Sequence, residues 1–342
     1  TPISKEVEPR TNELIDHPET QFIYSTNSEF LPGKLNQLNT RVITKSVNID
    51  TRFRDKLYET QSSDFLLQMP VKFNKVVSMS LSSLELPISF YGISASLGNN
   101  YLYLEVTYTD LNDSEKTNTE SRVFIIPDGN YYPVDLINTI NNILTNKIED
   151  GNLVSSTDIF SNIVFTYDLT ESGSGTGKVT VSPSRSNEGL ITNINLDFTR
   201  NIHGNVDKTE VSTKIGWNLG FIQKIYQGAI SYTADTVIEP NGLRYVYLAV
   251  DDYANSANNQ FINVFNNSIM SPNILARISV KGAYFSTIVE NDLNIVSEPR
   301  RYFGPVDIQR LRIRLFDEHG RILPMNNSNF SFCLDFKLMY DL

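Results

Sequence analysis

Cysteine, histidine and tryptophan are all scarce, at one, three and one in 342 residues. A lone thiol, Cys333, cannot close an intrachain disulfide. With only His17, His203 and His319 to help, it cannot build a zinc site of the usual ligand count. The chain therefore fits a reducing compartment, and its fold has to come from a hydrophobic core rather than from staples. No apolar run approaches the ~18 residues that would cross a bilayer. The opening residues, Thr1 to Glu6, lack the basic and then apolar pattern of a secretory leader. Basic charge is also in deficit: 29 Lys plus Arg stand against 39 Asp plus Glu, a formal net charge of -10. That balance opposes gripping a phosphate backbone over the whole surface, while a local basic patch survives the argument.

What is present is a core. Hydrophobic residues make up 40% of the chain and aromatic ones 11%, more than disordered chains carry. At this length roughly three quarters of the unfolded surface can be buried. Residues 1–41 are polar and without periodicity, and read as an extended N-terminal arm that orders only against neighbouring subunits. Apolar patterning begins with Val42-Ile43 and Val47 to Asp50. Period-two segments then follow at Phe65 to Met69, Val76 to Leu86, Tyr101 to Thr109, Arg122 to Ile126, Tyr245 to Asp251, Leu275 to Ile288, Ile308 to Phe316 and Phe330 to Tyr340. In the last of these, Phe330, Phe332, Leu334, Phe336, Leu338 and Tyr340 share one face, which predicts a half-buried strand.

Between the fourth and fifth segments the rhythm stops. Pro133, Asp135, Leu136, Ile140, Ile143 and Leu144 predict one helix over 133–147, with Pro at its first position and Asp at the positive end of the dipole. Short strands follow at Ile163 to Tyr167, Lys178 to Val181 and Ile191 to Phe198, with a Gly/Ser tip at Glu171 to Gly177. Many strands, one helix and no alternation of strand with helix give an all-β class. The expected fold is an eight-stranded antiparallel jelly-roll sandwich with one inserted α+β subdomain and an extended N-terminal arm. The boundaries are 1–41 for the arm, 42–126 and 244–342 for the jelly-roll core, and 127–243 for the insertion.

Chemistry-bearing constellations are thin. The histidines are scattered, no Gly-x-Ser-x-Gly or His-x-x-x-His occurs, and the glycines at 173, 175 and 177 close no phosphate-binding pattern. No catalytic residue, metal or cofactor is expected. Asp251 and Asp252, with Asp235, are the best carboxylates for an acid pair or a hard cation, but adjacent strand residues point to opposite faces. Arg310, Arg312 and Arg314 alternate with Leu311, Ile313 and Leu315, and Arg300 and Arg301 lie just upstream. These five are the predicted subunit contact. An acidic protein partner suits them better than nucleic acid, because no aromatic platform alternates with them in the sequence.

Two groups of residues carry a family resemblance. Val47 to Arg54, Ser63-Asp64-Phe65 and Val76 to Pro87 resemble the opening of minor capsid proteins of the large nucleocytoplasmic DNA viruses. Pro127 to Tyr131, Leu219-Gly220-Phe221 and Arg301 to Ile308 resemble that family's middle and C-terminal regions. The resemblance implies a virion structural protein assembled in the host cytoplasm: a penton-type subunit at the capsid vertices or a protein cementing capsomers from the inner face. Its partners would be other capsid proteins, including the major capsid protein, and further copies of itself, five at a vertex. It implies no membrane span and no nucleic-acid role. The alternative from another class is a carbohydrate- or receptor-binding β-sandwich, for which Tyr101, Tyr103, Tyr131 and Tyr132 would be the surface.

Overall fold

The computed structural model describes residues 42–340, apart from 111–114, 146, 150, 151, 155–157, 171, 185–189, 240, 241, 255–260, 263–271 and 292–297. The N-terminal arm lies outside the described residues. The chain enters as β1 (Val42–Asp50) and the 24-residue β2 (Asp64–Pro87). It then leaves for an insertion: β3 (Tyr101–Thr109), β4 (Thr117–Ile125), α1 (Pro133–Thr145), β5 (Lys147–Glu149), β6 (Asn152–Val154), β7 (Ile163–Tyr167), β8 (Val179–Pro183), β9 (Ile191–Asp197), the one-turn α2 (Ile215–Asn218), β10 (Ile225–Ala229) and β11 (Tyr232–Thr233). It returns as β12 (Tyr245–Asp251), β13 (Ile274–Ser279), β14 (Thr287–Glu290), β15 (Arg300–Phe316) and β16 (Ser331–Met339).

Seven strands are hydrogen-bonded in the order β1-β16-β2-β15-β12-β13, with β14 also on β2. Two long strands fold this ribbon over on itself. Residues 64–68 of β2 pair with Arg310–Arg314, whereas Val76–Pro87 pair with β16 on one side and, on the other, first with residues 300–306 of β15 and then with β14. The crossover sits at Pro70 to Lys75, where Lys75 takes a left-handed φ of 57° and the ladder slips. The result is two four-stranded layers, β1-β16-β2-β14 and β2-β15-β12-β13. Their inward residues form one cluster, which includes Met79, Leu81 and Leu84 from β2, Val246 and Leu248 from β12, Leu311 and Ile313 from β15, and Phe332 and Phe336 from β16. This is an eight-stranded jelly roll.

The eight strands are not the eight expected. The sequence pattern places β3 and β4 in the core, but they form a second sheet, β10-β9-β3-β4, with strands of the insertion. Their apolar faces join a separate cluster spanning Ile93 to Ile238. Period two says that a strand is half buried and says nothing about which sheet it faces. The boundary expected at 126/127 therefore does not follow the hydrogen bonding, and the two cores divide near residues 91 and 242. Two of the eight core positions are filled instead by β1 and by a split of the expected 275–288 strand into β13 and β14. Between these, Gly282 (φ 121°) and Phe285 (φ 63°) turn the chain back.

Within the insertion a three-stranded sheet, β11-β8-β7, shares one core cluster with the four-stranded one. The predicted helix is present and ends at Thr145. Asn141, mid-helix, both donates to Phe165 O and accepts from Phe165 N at 2.8 Å, so its side chain supplies the edge of β7 with a substitute strand partner.

The two units meet where the linkers cross. A Cβ on Gly242 (φ 62°) would lie 2.8 Å from Gly92 Cα, so the ends of the insertion touch. Arg321, from the β15–β16 connection, donates to Leu97 O at 2.5 Å and to the fully buried Asp317 at 2.7 Å. A cleft of about 280 Å³ beside it is lined by Trp217, Arg244, Glu318 and His319. Burial, and then Arg321, hold His319 below the usual imidazole value of 6.5, while nearby Asp317 opposes the shift. Burial raises Glu318 above the usual 4.5 despite Arg244.

The two signs differ. The unfolded chain binds the His319 proton more readily, so that contribution is intact above about pH 6.5 and is lost as pH falls through it. Glu318 contributes below its unfolded value and loses the contribution as pH rises through its raised one. His319→Gln should therefore flatten the loss of stability between neutral and mildly acidic pH. Urea unfolding at the two pH values checks this, and an unchanged pH response would show that His319 is not its source.

Candidate assembly surface

The outward face of the β2-β15-β12-β13 layer follows from register. Arg310, Arg312 and Arg314 stand opposite Gln68, Leu66 and Asp64 on β2, and Arg312 and Arg314 stand opposite Asp251 and Ala249 on β12. The three arginines share this face, with Leu311, Ile313 and Leu315 fully buried behind them. They are not three equivalent free charges. Arg312 makes a two-pronged bond to Asp64, both contacts 3.0 Å, and that carboxylate holds the guanidinium charged. Arg314 is half buried against Phe316, with ring centroid 5.1 Å from its guanidinium carbon, and its Nε is buried without an acceptor. Arg310 is exposed and lies over the Tyr253 ring at 4.3 Å.

The pair Arg300 and Arg301 separates. On a strand, successive side chains point to opposite faces, so only one of the two can reach the surface. Arg301 is exposed and Arg300 is 2% exposed. Arg300 donates to Val250 O at 2.7 Å, Asn273 O at 2.8 Å and Asp252 Oδ2 at 2.9 Å. Tyr302 donates to the same carboxylate oxygen at 2.5 Å. Burial, and then the Asp252 charge, push the Tyr302 phenol far above its ordinary range. Arg300 is thus an interior residue and no subunit contact.

The other sequence candidates disperse. Asp252 is bound up with Arg300, Asp251 accepts from Tyr253 N at 3.0 Å, and Asp235 bonds Tyr226 in the insertion. Among the described residues no group of three or more His, Cys, Asp or Glu could hold a metal. The tyrosines form no common platform. Tyr101 is buried and its hydroxyl is bonded to Lys214 and Arg200, Tyr103 lies under Arg200, and Tyr132 packs edge-on to Tyr284 at the junction.

A groove of about 770 Å³ runs along the arginine face between the 55–60 loop and Tyr253, with Leu66, Gln68, Arg310 and Arg312 in its lining. Leu66 is 62% exposed there. Aromatics do reach this face, contrary to the expectation from sequence. Tyr253 arrives from the end of β12 and stacks on Arg310, and Phe316 joins a small outer cluster with Tyr247 and Ile274. Phe316 is buried and one face of the 43%-exposed Tyr253 ring is taken by Arg310, so the face carries no row of open stacking rings.

No family model matches the chain, and no curated protein matches it. Several solved structures are similar to it, two of them from virophages. One is the mavirus penton protein, at 12% identity and a TM-score of 0.44, with 86% of this chain and 99% of that one covered. The other is a chain of the Sputnik virophage structure, at 12% identity and a TM-score of 0.36, with 87% and 98% covered.

What the site can do follows from its composition. One exposed guanidinium stacked on a ring, a second paired with a carboxylate and an exposed leucine offer charge-assisted hydrogen bonding beside apolar contact. The carboxylates in its lining are Asp55 and Asp64, and Asp64 is already bonded to Arg312.

Proposed function

We propose that this chain is a structural subunit of a virus shell, of the penton type that closes vertices, contacting the major capsid protein and further copies of itself. The observation that carries the reading is the jelly roll with a whole second unit spliced into one loop, the two splice points touching at Gly92 and Gly242. Jelly rolls serve in viral shells and in lectins. The sequence resemblance to minor capsid proteins favours the first, and the dispersal of the tyrosines disfavours the second. The reading gives the chain no catalytic role and no cofactor.

The arginine groove is the contact with an adjoining subunit, and Arg310 is its leading residue because its charge has only a ring beneath it. Replacing Arg310, Arg312 and Arg314 together by Gln should lower the melting temperature only slightly, since the exposed Arg312–Asp64 pair contributes about 0–1 kcal/mol and Gln keeps part of the Arg314 stem's packing on Phe316. Oligomer formation should weaken clearly, and the wild type's sensitivity to added salt should largely disappear. Sedimentation velocity of the full chain across salt and protein concentration reads both. A triple mutant that associates like the wild type refutes the groove. A wild type that stays monomeric and binds glycans refutes the shell reading itself.

A further inference from the structure

The corner where β2 and β15 bend carries the most exposed apolar side chain of the described residues, Phe303, at 102% exposure. Its position is forced from inside. Arg300 and Tyr302 are tied into the core through Asp252, so alternation sends Arg301 and Phe303 outward. The ladder then breaks: Arg301 pairs with Ser78 and the next paired residue, Val306, with Val76, leaving 302–305 as a bulge. Bulges re-aim side chains. Val71, 61% exposed, lies on the other limb of the corner, where Lys72 bonds Asp307 at 2.8 Å and Lys75 N donates to the same carboxylate.

Charge at this corner runs against the rest of the chain. Residues 68–76 and 301–310 hold Lys72, Lys75, Arg301 and Arg310 against one acid, Asp307, in a protein of net charge -10. On the Val71 limb is a hollow of about 430 Å³ whose lining sets Lys72 and Arg310 beside Asp307 and Asp252, the second of these already held by Arg300. The corner sits at the Val76 end of the half-strand whose Pro87 end leads into the insertion, roughly 35 Å away along β2.

We propose that this corner docks on an anionic lipid bilayer, with Phe303 and Val71 entering the headgroup region and Lys72, Lys75 and Arg301 meeting lipid charges. A projecting phenyl and an aliphatic side chain ringed by Lys and Arg match an anionic membrane interface. Single-stranded nucleic acid asks instead for a grooved track of stacking rings. The inference does not depend on the shell reading.

Flotation of the full chain with phosphatidylcholine vesicles, with and without phosphatidylserine, tests it. Binding is expected only with phosphatidylserine and should fall with salt. Phe303→Ser should lower it about tenfold at an unchanged melting temperature, since that side chain is fully solvated, and Lys72→Glu with Lys75→Glu should lower it at least as much. No flotation of the wild type, equal flotation of Phe303→Ser, or binding to neutral vesicles as strong as to anionic ones would overturn the proposal. Retention on immobilised polyglutamate or oligothymidylate without flotation would likewise overturn it, by assigning the corner to an acidic protein or to nucleic acid.

Discussion

Replacing Arg300 by Met is expected to destabilise the jelly roll by about 3–5 kcal/mol, the range for removing one member of a buried ion pair. Arg300 is 2% exposed and its partner Asp252 carries 5% side-chain exposure. Without the guanidinium, Asp252 would keep only the Tyr302 hydroxyl and Ala254 N as donors, the Val250 carbonyl would lose its bond from Arg300, and Asn273 O would keep only Val250 N. The loss is local to the end of the sandwich where β12, β13 and β15 meet. Replacing both members, Arg300→Met with Asp252→Leu, should cost less than the single change, because no uncompensated charge remains inside. Chemical unfolding followed by far-UV circular dichroism reads the effect. A single mutant within about 1 kcal/mol of the wild type would show that water reaches Asp252 and that the pair is not truly buried.

The misreading of Arg300 shows where the sequence stops being legible. Local alternation identifies the strand from Ile308 to Phe316 and the face of Arg310, Arg312 and Arg314, because period two is a property of each strand by itself. It identifies Phe332, Leu334, Phe336 and Leu338 as core for the same reason, and all four are buried. Helical spacing finds α1 to within its last turn. Upstream of Ile308 the bulge at 302–305 breaks the alternation, so the parity of Arg300 cannot be carried across it. The neighbouring pair Arg300-Arg301 does hold the signal that one of the two must face inward. The buried acid that selects which one, Asp252, is 48 residues away in sequence. Tyr253 reaches the groove by the same kind of long-range closure, from a left-handed residue at φ 58° just past β12. The sheet membership of β3 and β4 is likewise a pairing question, settled by β9 and β10 far along the chain.

Gly220→Ala is expected to unfold the insertion while sparing the jelly roll. Gly220 has φ +92°, and an added Cβ would lie 2.3 Å from Thr236 O and 3.0 Å from Thr236 C, both backbone atoms. The conformational penalty for a left-handed alanine is about 1–2 kcal/mol, and forcing a methyl into a packed site adds about 1–3 kcal/mol. The turn after α2 cannot drift outward to relieve the clash. Leu219 and Phe221 on either side are 0% exposed, and Thr236 N donates to Gly220 O at 3.0 Å. That closeness accounts physically for the glycine in Leu219-Gly220-Phe221, one of the stretches that carry the family resemblance. Trp217, the sole tryptophan, sits one turn away in α2 on the cleft shared with Glu318 and His319, so its fluorescence reports the insertion and its junction, while circular dichroism reports both units. In Gly220→Ala the stability read by fluorescence should fall by about 2–5 kcal/mol, the two penalties together, with a jelly-roll transition left at its wild-type position. Arg300→Met should give the converse. If both probes move together in both mutants, the two clusters melt as one cooperative unit and the division near residues 91 and 242 is wrong as an energetic boundary.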